Sequence, residues 1–173
     1  MTNLQKGSFS INLGIVSLEA ELADEDRQCA WELYTELITR VAVIGKIYDD
    51  ECTNFEGELY IESLDSLFNF FQEARKIMRS FPAGQIKNKN INHLGMIINS
   101  AFITVLRPFL EKWQIQYRHW WDNESDESLM PLERQKQFPE LKEFLDDWSD
   151  LRYLMKSLQN KLVEIYELTD VTK

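Results

Sequence analysis

Apolar side chains recur along most of this chain at steps of three and four residues, the spacing of one face of an α-helix. Acidic residues at 24–26 favour a helix N-terminus, and the periodic stretch that follows predicts helix A over about residues 24–48. Later stretches predict helices B, C and D over about 57–80, 90–120 and 139–168, and the apolar stripes include Leu33 of helix A, Phe68 of helix B and Leu158 of helix D. Four amphipathic helices predict an all-α fold, most simply an up-and-down four-helix bundle.

The spacing of turn-forming residues supports long helices in one domain. The 173 residues include only six glycines and four prolines, whereas a β-sandwich or barrel needs frequent turns. The length suits a single domain, and we find no internal repeat and no linker. We therefore expect residues 1–173 to form one helical domain, with 49–56 and 122–137 as loops.

Helix C contains a proline. Pro108 cannot donate to the Thr104 carbonyl and crowds the preceding turn, at a cost of about 3 kcal/mol unless the helix bends. We therefore predict a kink near residues 104–108. Beyond it, Trp113 continues the apolar stripe and should pack in the core.

The N-terminal segment shows a different period, because apolar and polar residues alternate strictly there, as in a half-buried strand. A lone strand leaves its backbone groups unpaired, so it needs a partner. That partner could be a second strand of this chain, the same strand of another copy, or another protein. The alternative is an extended arm lying in a groove between helices. The pairing candidates are Phe9, Ile11, Leu13 and Ile15.

Charge limits the partners of this protein. Its formal net charge of −10 repels polyanions on average, which disfavours nucleic acid as a partner. The one plausible basic patch is the loop at 85–90, which follows Arg75, Lys76 and Arg79. No apolar run reaches the 18 or so residues of a membrane helix, and the N-terminus has no signal-peptide pattern. With only two cysteines, Cys29 and Cys52, we expect a cytoplasmic protein with reduced thiols.

Catalytic and metal-binding patterns are missing from the sequence. Di-metal bundles use Glu-x-x-His pairs, but Asn90 and Gln116 stand three residues before His93 and His119. The phosphate-binding and nucleophile-elbow motifs do not occur. We therefore expect no enzyme activity, no metal and no cofactor. Asp146, Asp147 and Asp150 form an acidic run that we interpret as a face exposed to solvent; the alternative interpretation is a cation-binding site.

The end of helix C is unusually rich in aromatic and basic residues. Adjacent tryptophans diverge by about 100° around a helix, so Trp120 and Trp121 cannot both point inward, and at least one should be exposed or covered by another segment. Tryptophan and arginine are enriched at binding hot spots. The candidate partner-contact residues are Arg118, His119, Trp120 and Trp121, with Arg107 and Lys112 on the flank. Alternatively, the acidic loop folds back over them and Asp122 or Glu124 pairs with Arg118.

Three blocks of the sequence stand out: Asp26–Leu37 with Thr39 and Arg40, then Glu62–Phe68, then Val105–Trp113. They resemble blocks that occur in the same order in an uncharacterised group of bacterial helical proteins. The resemblance covers about residues 10–115 and does not extend to 122–173. It implies a component of a multi-gene bacterial system, of which defence (conflict) systems are an example, and it implies partners more than catalysis.

These observations favour a non-catalytic interaction module, an adaptor or accessory subunit that binds another protein or its own copy. A second hypothesis is a small-ligand or nucleotide sensor, with a pocket near the Pro108 kink lined by Trp113, Tyr117 and His119. A third is a hydrolase of unfamiliar type that would depend on His119 or His93. The sequence favours the first because it gathers no reactive set of side chains.

Overall fold

A computed structural model describes residues 3–7, 9–12, 24–80 and 94–172. Two strands and seven α-helices are described, together with a π-helical turn and a 3₁₀ turn. In chain order the elements are β1 (Asn3–Lys6), β2 (Phe9–Asn12), α1 (Asp24–Ile38), α2 (Val41–Ile44), α3 (Tyr60–Ser80), α4 (Leu94–Ala101), the π turn (Phe102–Leu106), α5 (Arg107–Asn123), α6 (Pro131–Arg134), the 3₁₀ turn (Gln135–Gln137) and α7 (Leu141–Tyr166). The described chain is mostly helical, so the predicted all-α class is confirmed.

The long helices share one hydrophobic core. Helix α1 packs against α3 and α7, and α5 packs against the same two helices. Each contributes its apolar stripe, with fully buried residues such as Leu33 on α1, Leu64 on α3, Phe109 on α5 and Leu158 on α7. Burial of these stripes is the main force holding the helices together. Within the described residues, no helix has the length and apolar character to cross a membrane.

Helix A was predicted too long. Helix α1 ends at Ile38, and Arg40 adopts an extended conformation. The separate short helix α2 ends at Ile44 and is followed by Gly45, whose φ is 71°. The Thr39 hydroxyl donates to the Thr35 carbonyl four residues back, a local bond that competes with the helical pattern. In α2 three consecutive residues, 42–44, are buried. Residues 42–44 are therefore a buried segment rather than the continuation of an amphipathic stripe, while Val41 is exposed.

Region C contains a π-helical turn where the sequence predicted a kink. The π turn Phe102–Leu106 precedes Pro108, and the Arg107 amide donates to the Phe102 carbonyl five residues back. Ala101, Leu106 and Arg107 keep right-handed helical angles, so the chain stays helical through the turn. Pro108 follows in the first turn of α5, where its missing donor is tolerated.

The N-terminal strand pairs within the chain. Strands β1 and β2 form an antiparallel hairpin in which Leu4 faces Ile11 and Lys6 faces Phe9. Phe9 is buried, and the hairpin contacts α4, the π turn and α7. Of the alternatives considered, the missed second strand is therefore the partner of β2. Leu13 and Ile15 lie outside the described residues.

Glycine is required at the hairpin turn. Gly7 has a φ of 54°, and a Cβ added there would lie 2.0 Å from Oδ2 of Asp150 on α7. The Lys6 ammonium stands 4.6 Å from the centre of the Tyr153 ring on the same helix. Burial raises the pKa of Asp150, and Lys6 opposes that shift. The hairpin thus rests closely on α7.

A charged pair lies inside the core. Arg152 of α7 is fully buried, and its guanidinium donates to Oε2 of Glu58 at 2.6 Å. Its Nε donates to the Ala42 carbonyl at 3.3 Å, and its Cζ lies 4.1 Å from the centre of the Phe55 ring. Desolvation lowers the pKa of Arg152, while Glu58 acts to raise it. These bonds join α7 to α2 and to the segment leading into α3.

Arg152→Ala should lower the free energy of unfolding by about 3–5 kcal/mol, because Glu58 would stay buried without its partner. The double variant Arg152→Met with Glu58→Leu should recover most of that loss, since no charge is then buried. Urea titration of both proteins measures the difference.

Lys142→Ala is the matched control, because Lys142 and Asp146 form an exposed ion pair on the same helix. It should change stability by less than about 1 kcal/mol. Equal losses in the single and double Arg152 variants would show that packing, rather than the unpaired charge, accounts for the effect.

Candidate functional site

The aromatic end of helix C belongs mainly to the core. Trp113, Tyr117 and Trp120 are 1%, 0% and 6% exposed. The Tyr117 and Trp120 rings lie 5.0 and 5.1 Å from the ring of Phe138, and Trp113 lies 5.3 Å from the ring of Phe144. The core position predicted for Trp113 is confirmed. Trp120 was expected at a contact surface, but its burial against Phe138 removes it from any such surface.

Trp121 is covered rather than exposed. The Arg134 guanidinium lies 4.1 Å from the centre of the Trp121 ring, and Arg134 also donates to the Trp121 carbonyl and to the Ser125 hydroxyl. Arg134 ends α6, so the segment after α5 folds back over this tryptophan. The expectation that one of the two tryptophans is exposed or covered is confirmed, with Trp121 as the covered one.

The segment at 122–137 is more ordered than predicted. Helix α5 continues to Asn123, and α6 and the 3₁₀ turn follow. Gln135 is only 4% exposed; its amide donates to the Glu58 carbonyl at 2.8 Å and accepts from the Tyr60 amide at 2.9 Å. This loop therefore caps the start of α3, a role without any local sequence signal.

The basic contact candidates point toward different neighbours. Arg118 pairs with Asp65 of α3, not with Asp122 or Glu124 as proposed. Lys112 pairs with Glu143 and Asp147 of α7, at 2.6 and 2.8 Å, and these bonds raise its pKa against the effect of burial. Arg118 therefore faces α3 and Lys112 faces α7, so the two do not form one patch.

His119 remains at the surface, where its Nε2 lies 3.4 Å from Oε1 of Glu124. Trp113 and Tyr117 are inside the core, so these three residues do not line the common pocket that the sensor hypothesis requires. His93 and the basic loop at 85–90 lie outside the described residues.

The three aspartates on α7 that were the candidate cation site also face different neighbours. Asp146 pairs with Lys142, Asp147 bonds Lys112 and the Trp113 indole, and Asp150 faces the hairpin turn. A search of the described part of the chain finds no group of three or more His, Cys, Asp or Glu side chains able to hold a metal ion.

An open groove of about 450 Å³ lies between α3 and α5. Its α5 side includes Arg107, the residue before Pro108, but Trp113, Tyr117 and His119 of the predicted pocket are not in its lining. Apolar side chains supply most of its surface, and Arg75, Arg107, Glu111 and Gln114 complete it; the apolar ones are Phe68, Phe71, Leu110 and Ile115. Phe68, predicted to be a core residue, is 38% exposed here, whereas its neighbour Phe70 is fully buried.

The most exposed apolar residues of α5 and the π turn before it are Ile115, which lines the groove, and Ile103, which lies four residues before the groove residue Arg107. Ile103 is 62% exposed and Ile115 is 75% exposed. Between them lie Arg107 and Glu111, an exposed pair with an Nε to Oε1 distance of 2.7 Å. We call Ile103, Arg107, Glu111 and Ile115 the α5 stripe. Sequence reasoning named only Arg107 among these four, because Ile103 and Ile115 fall off the core period and carry no motif.

Comparison of the chain with models of protein families, with curated proteins and with solved structures finds no match.

Tyr117→Phe should raise the free energy of unfolding by roughly 1 kcal/mol, because the hydroxyl is buried without a hydrogen-bond partner among the described residues. Burial also raises the pKa of this phenol, as expected for a hydroxyl held away from water. Thermal and urea unfolding measure the change.

Tyr34→Phe is the matched control and should lower stability by about 1 kcal/mol. The Tyr34 hydroxyl donates to Oδ1 of Asp170 and accepts from the Val171 amide at 2.9 Å. A loss of stability in the Tyr117 variant as large as that in the Tyr34 variant would contradict the assignment of an unsatisfied hydroxyl.

Proposed function

We propose that this protein is a non-catalytic protein–protein interaction module, an adaptor or accessory subunit, which docks through the α5 stripe and the adjoining groove. The observation that carries the proposal is that Ile115, 75% exposed, lines an apolar groove together with the exposed Phe68. Ile103, 62% exposed, lies four residues before Arg107, which lines the same groove. A single exposed apolar residue needs no explanation, but several around one groove are typical of a binding surface.

The chemistry of the remaining surface supports the same function. The ionisable candidates singled out from the sequence are engaged in separate ion pairs, such as Arg118 with Asp65 and Lys112 with Asp147. Of these candidates Arg107 alone lines the groove, where it pairs with Glu111, and the described lining does not bring a nucleophile, a base and an oxyanion donor together. The groove is a concave and largely apolar surface, which suits the binding of another protein.

The proposal includes the architecture and the biological setting. The neighbour relations of α1, α3, α5 and α7 support an up-and-down four-helix bundle, with α4 and the π turn extending α5. The resemblance of three sequence blocks supports membership in a bacterial multi-protein system. We propose that this is an antiviral defence system. The cytoplasm is the proposed location, and a protein, including a second copy of this chain, is the proposed partner.

A photo-crosslinking amino acid at position 115 should form protein adducts in the native host cell, because this position borders the groove. Mass spectrometry of the products identifies the partner. The adduct should disappear when Ile103→Asp is added, since a buried carboxylate would weaken docking along the stripe.

Position 130 provides the matched control. Met130 is 74% exposed, almost the same as Ile115, but it lies at the start of α6, away from the groove. Adducts of equal yield at both positions, or at neither, would argue against a docking function for the α5 stripe.

A further inference from the structure

We propose that the partner seated on the α5 stripe is a second copy of this chain, with the two α5 helices antiparallel about a twofold axis. This inference rests on the proposed function and specifies its occupant. A twofold interface uses the same patch on both subunits, so the patch must be complementary to itself.

The α5 stripe has this self-complementarity. Ile103 and Ile115 stand at equal sequence distances on either side of Phe109, as do Arg107 and Glu111. When two such helices run antiparallel with the axis near residue 109, Ile103 of each copy faces Ile115 of the other. In the same register, Arg107 of each copy faces Glu111 of the other. Across the axis, apolar side chains therefore face apolar side chains, and each positive charge faces a negative charge.

The π turn helps to place these residues on one side of the helix. In an α-helix each step of four residues turns about 40° beyond a full circle, so three such steps would spread the stripe over about 120°. The π turn between Ala101 and Arg107 holds more residues per turn, which reduces the advance between Ile103 and Arg107. Both isoleucines and both charged residues are in fact exposed.

The charges also favour this surface over the rest of the molecule. With a net charge of −10, two copies repel each other on average. The α5 stripe carries one arginine and one glutamate, so it is locally neutral. Within one chain the exposed Arg107–Glu111 pair contributes little to stability. Across the axis, each arginine gains a second carboxylate, and the two pairs become a network of four charges.

The groove provides room for the apolar contact. Ile115 borders it together with Phe68, Phe71 and Leu110. In the antiparallel register, Ile103 of the second copy approaches the Ile115 end of this groove. By symmetry the second groove receives Ile103 of the first copy. Each subunit thus inserts one isoleucine and accepts one, so the assembly closes as a dimer.

Charge reversal tests this register. Arg107→Glu makes both charged positions of the stripe acidic, and Glu111→Arg makes both basic. Each variant alone should dimerise at least ~10-fold more weakly than the wild type, because like charges then face each other. An equimolar mixture should form a 1:1 heterodimer of near wild-type affinity, since every glutamate again faces an arginine. Sedimentation velocity and light scattering measure the species.

Lys142→Glu is the matched control, because Lys142 and Asp146 form an equivalent exposed pair at the same spacing on α7. It should leave the dimer unchanged. Circular dichroism of each variant confirms that the fold is retained. A merely structural effect of the stripe variants would not be reversed by mixing, so recovery in the mixture specifically supports the antiparallel register.

Several results would overturn the inference. They are a monomeric wild type at the highest soluble concentration, single variants that dimerise as well as the wild type, or a mixture that fails to associate. A monomer that still crosslinks from position 115 to a different protein would refute the dimer and leave the proposed function standing. A monomer with no adduct would refute both.

Discussion

The buried ion pair between Arg152 and Glu58 is the constraint on which the arrangement of the other elements depends. Arg152 is fully buried, and its guanidinium bonds both the Glu58 carboxylate and the Ala42 carbonyl. The Trp148 indole donates to the same carbonyl at 2.8 Å. Because an unpaired charge inside a protein is very costly, α7 can pack in this register only with α2 and the start of α3 in these positions. We interpret the pair as a determinant of register rather than a source of net stability.

This constraint extends to the surface that we assign to binding. The backbone of Glu58 and Tyr60 bonds Gln135, which ties the segment after α5 to the start of α3. Helix α5 is held from the other side by the packing of Trp113 and Tyr117 against Phe144 of α7. With α3 and α5 each fixed by other contacts, nothing in the described chain fills the outer part of the space between them. This unfilled space between α3 and α5 is the groove lined by Phe68 and Ile115.

Sequence periodicity predicted the helical regions because an amphipathic stripe is a local property of the chain. It placed Leu33, Trp113 and Leu158 in the core correctly. It misjudged α3, where it assigned Phe68 to the core stripe. Phe68 and Phe70 lie about 200° apart around the helix, and the packing of the neighbouring helices determines that Phe70 is buried while Phe68 lines the groove. The strand Asn3–Lys6 was missed because it lacks alternation, and its register comes from β2 and α7.

The sequence by itself determined the all-α class, the core position of Trp113 and the disturbance before Pro108, since each follows from residues within a few turns of one another. Only the tertiary structure decided that Trp120 packs on Phe138, that Arg118 pairs with Asp65, and that Arg152 enters the core. These contacts join residues 18, 53 and 94 positions apart, with Arg152 meeting Glu58 across the longest of the three separations. Which side chain satisfies a distant charge or fills a distant gap depends on how whole helices pack, and no local pattern records that.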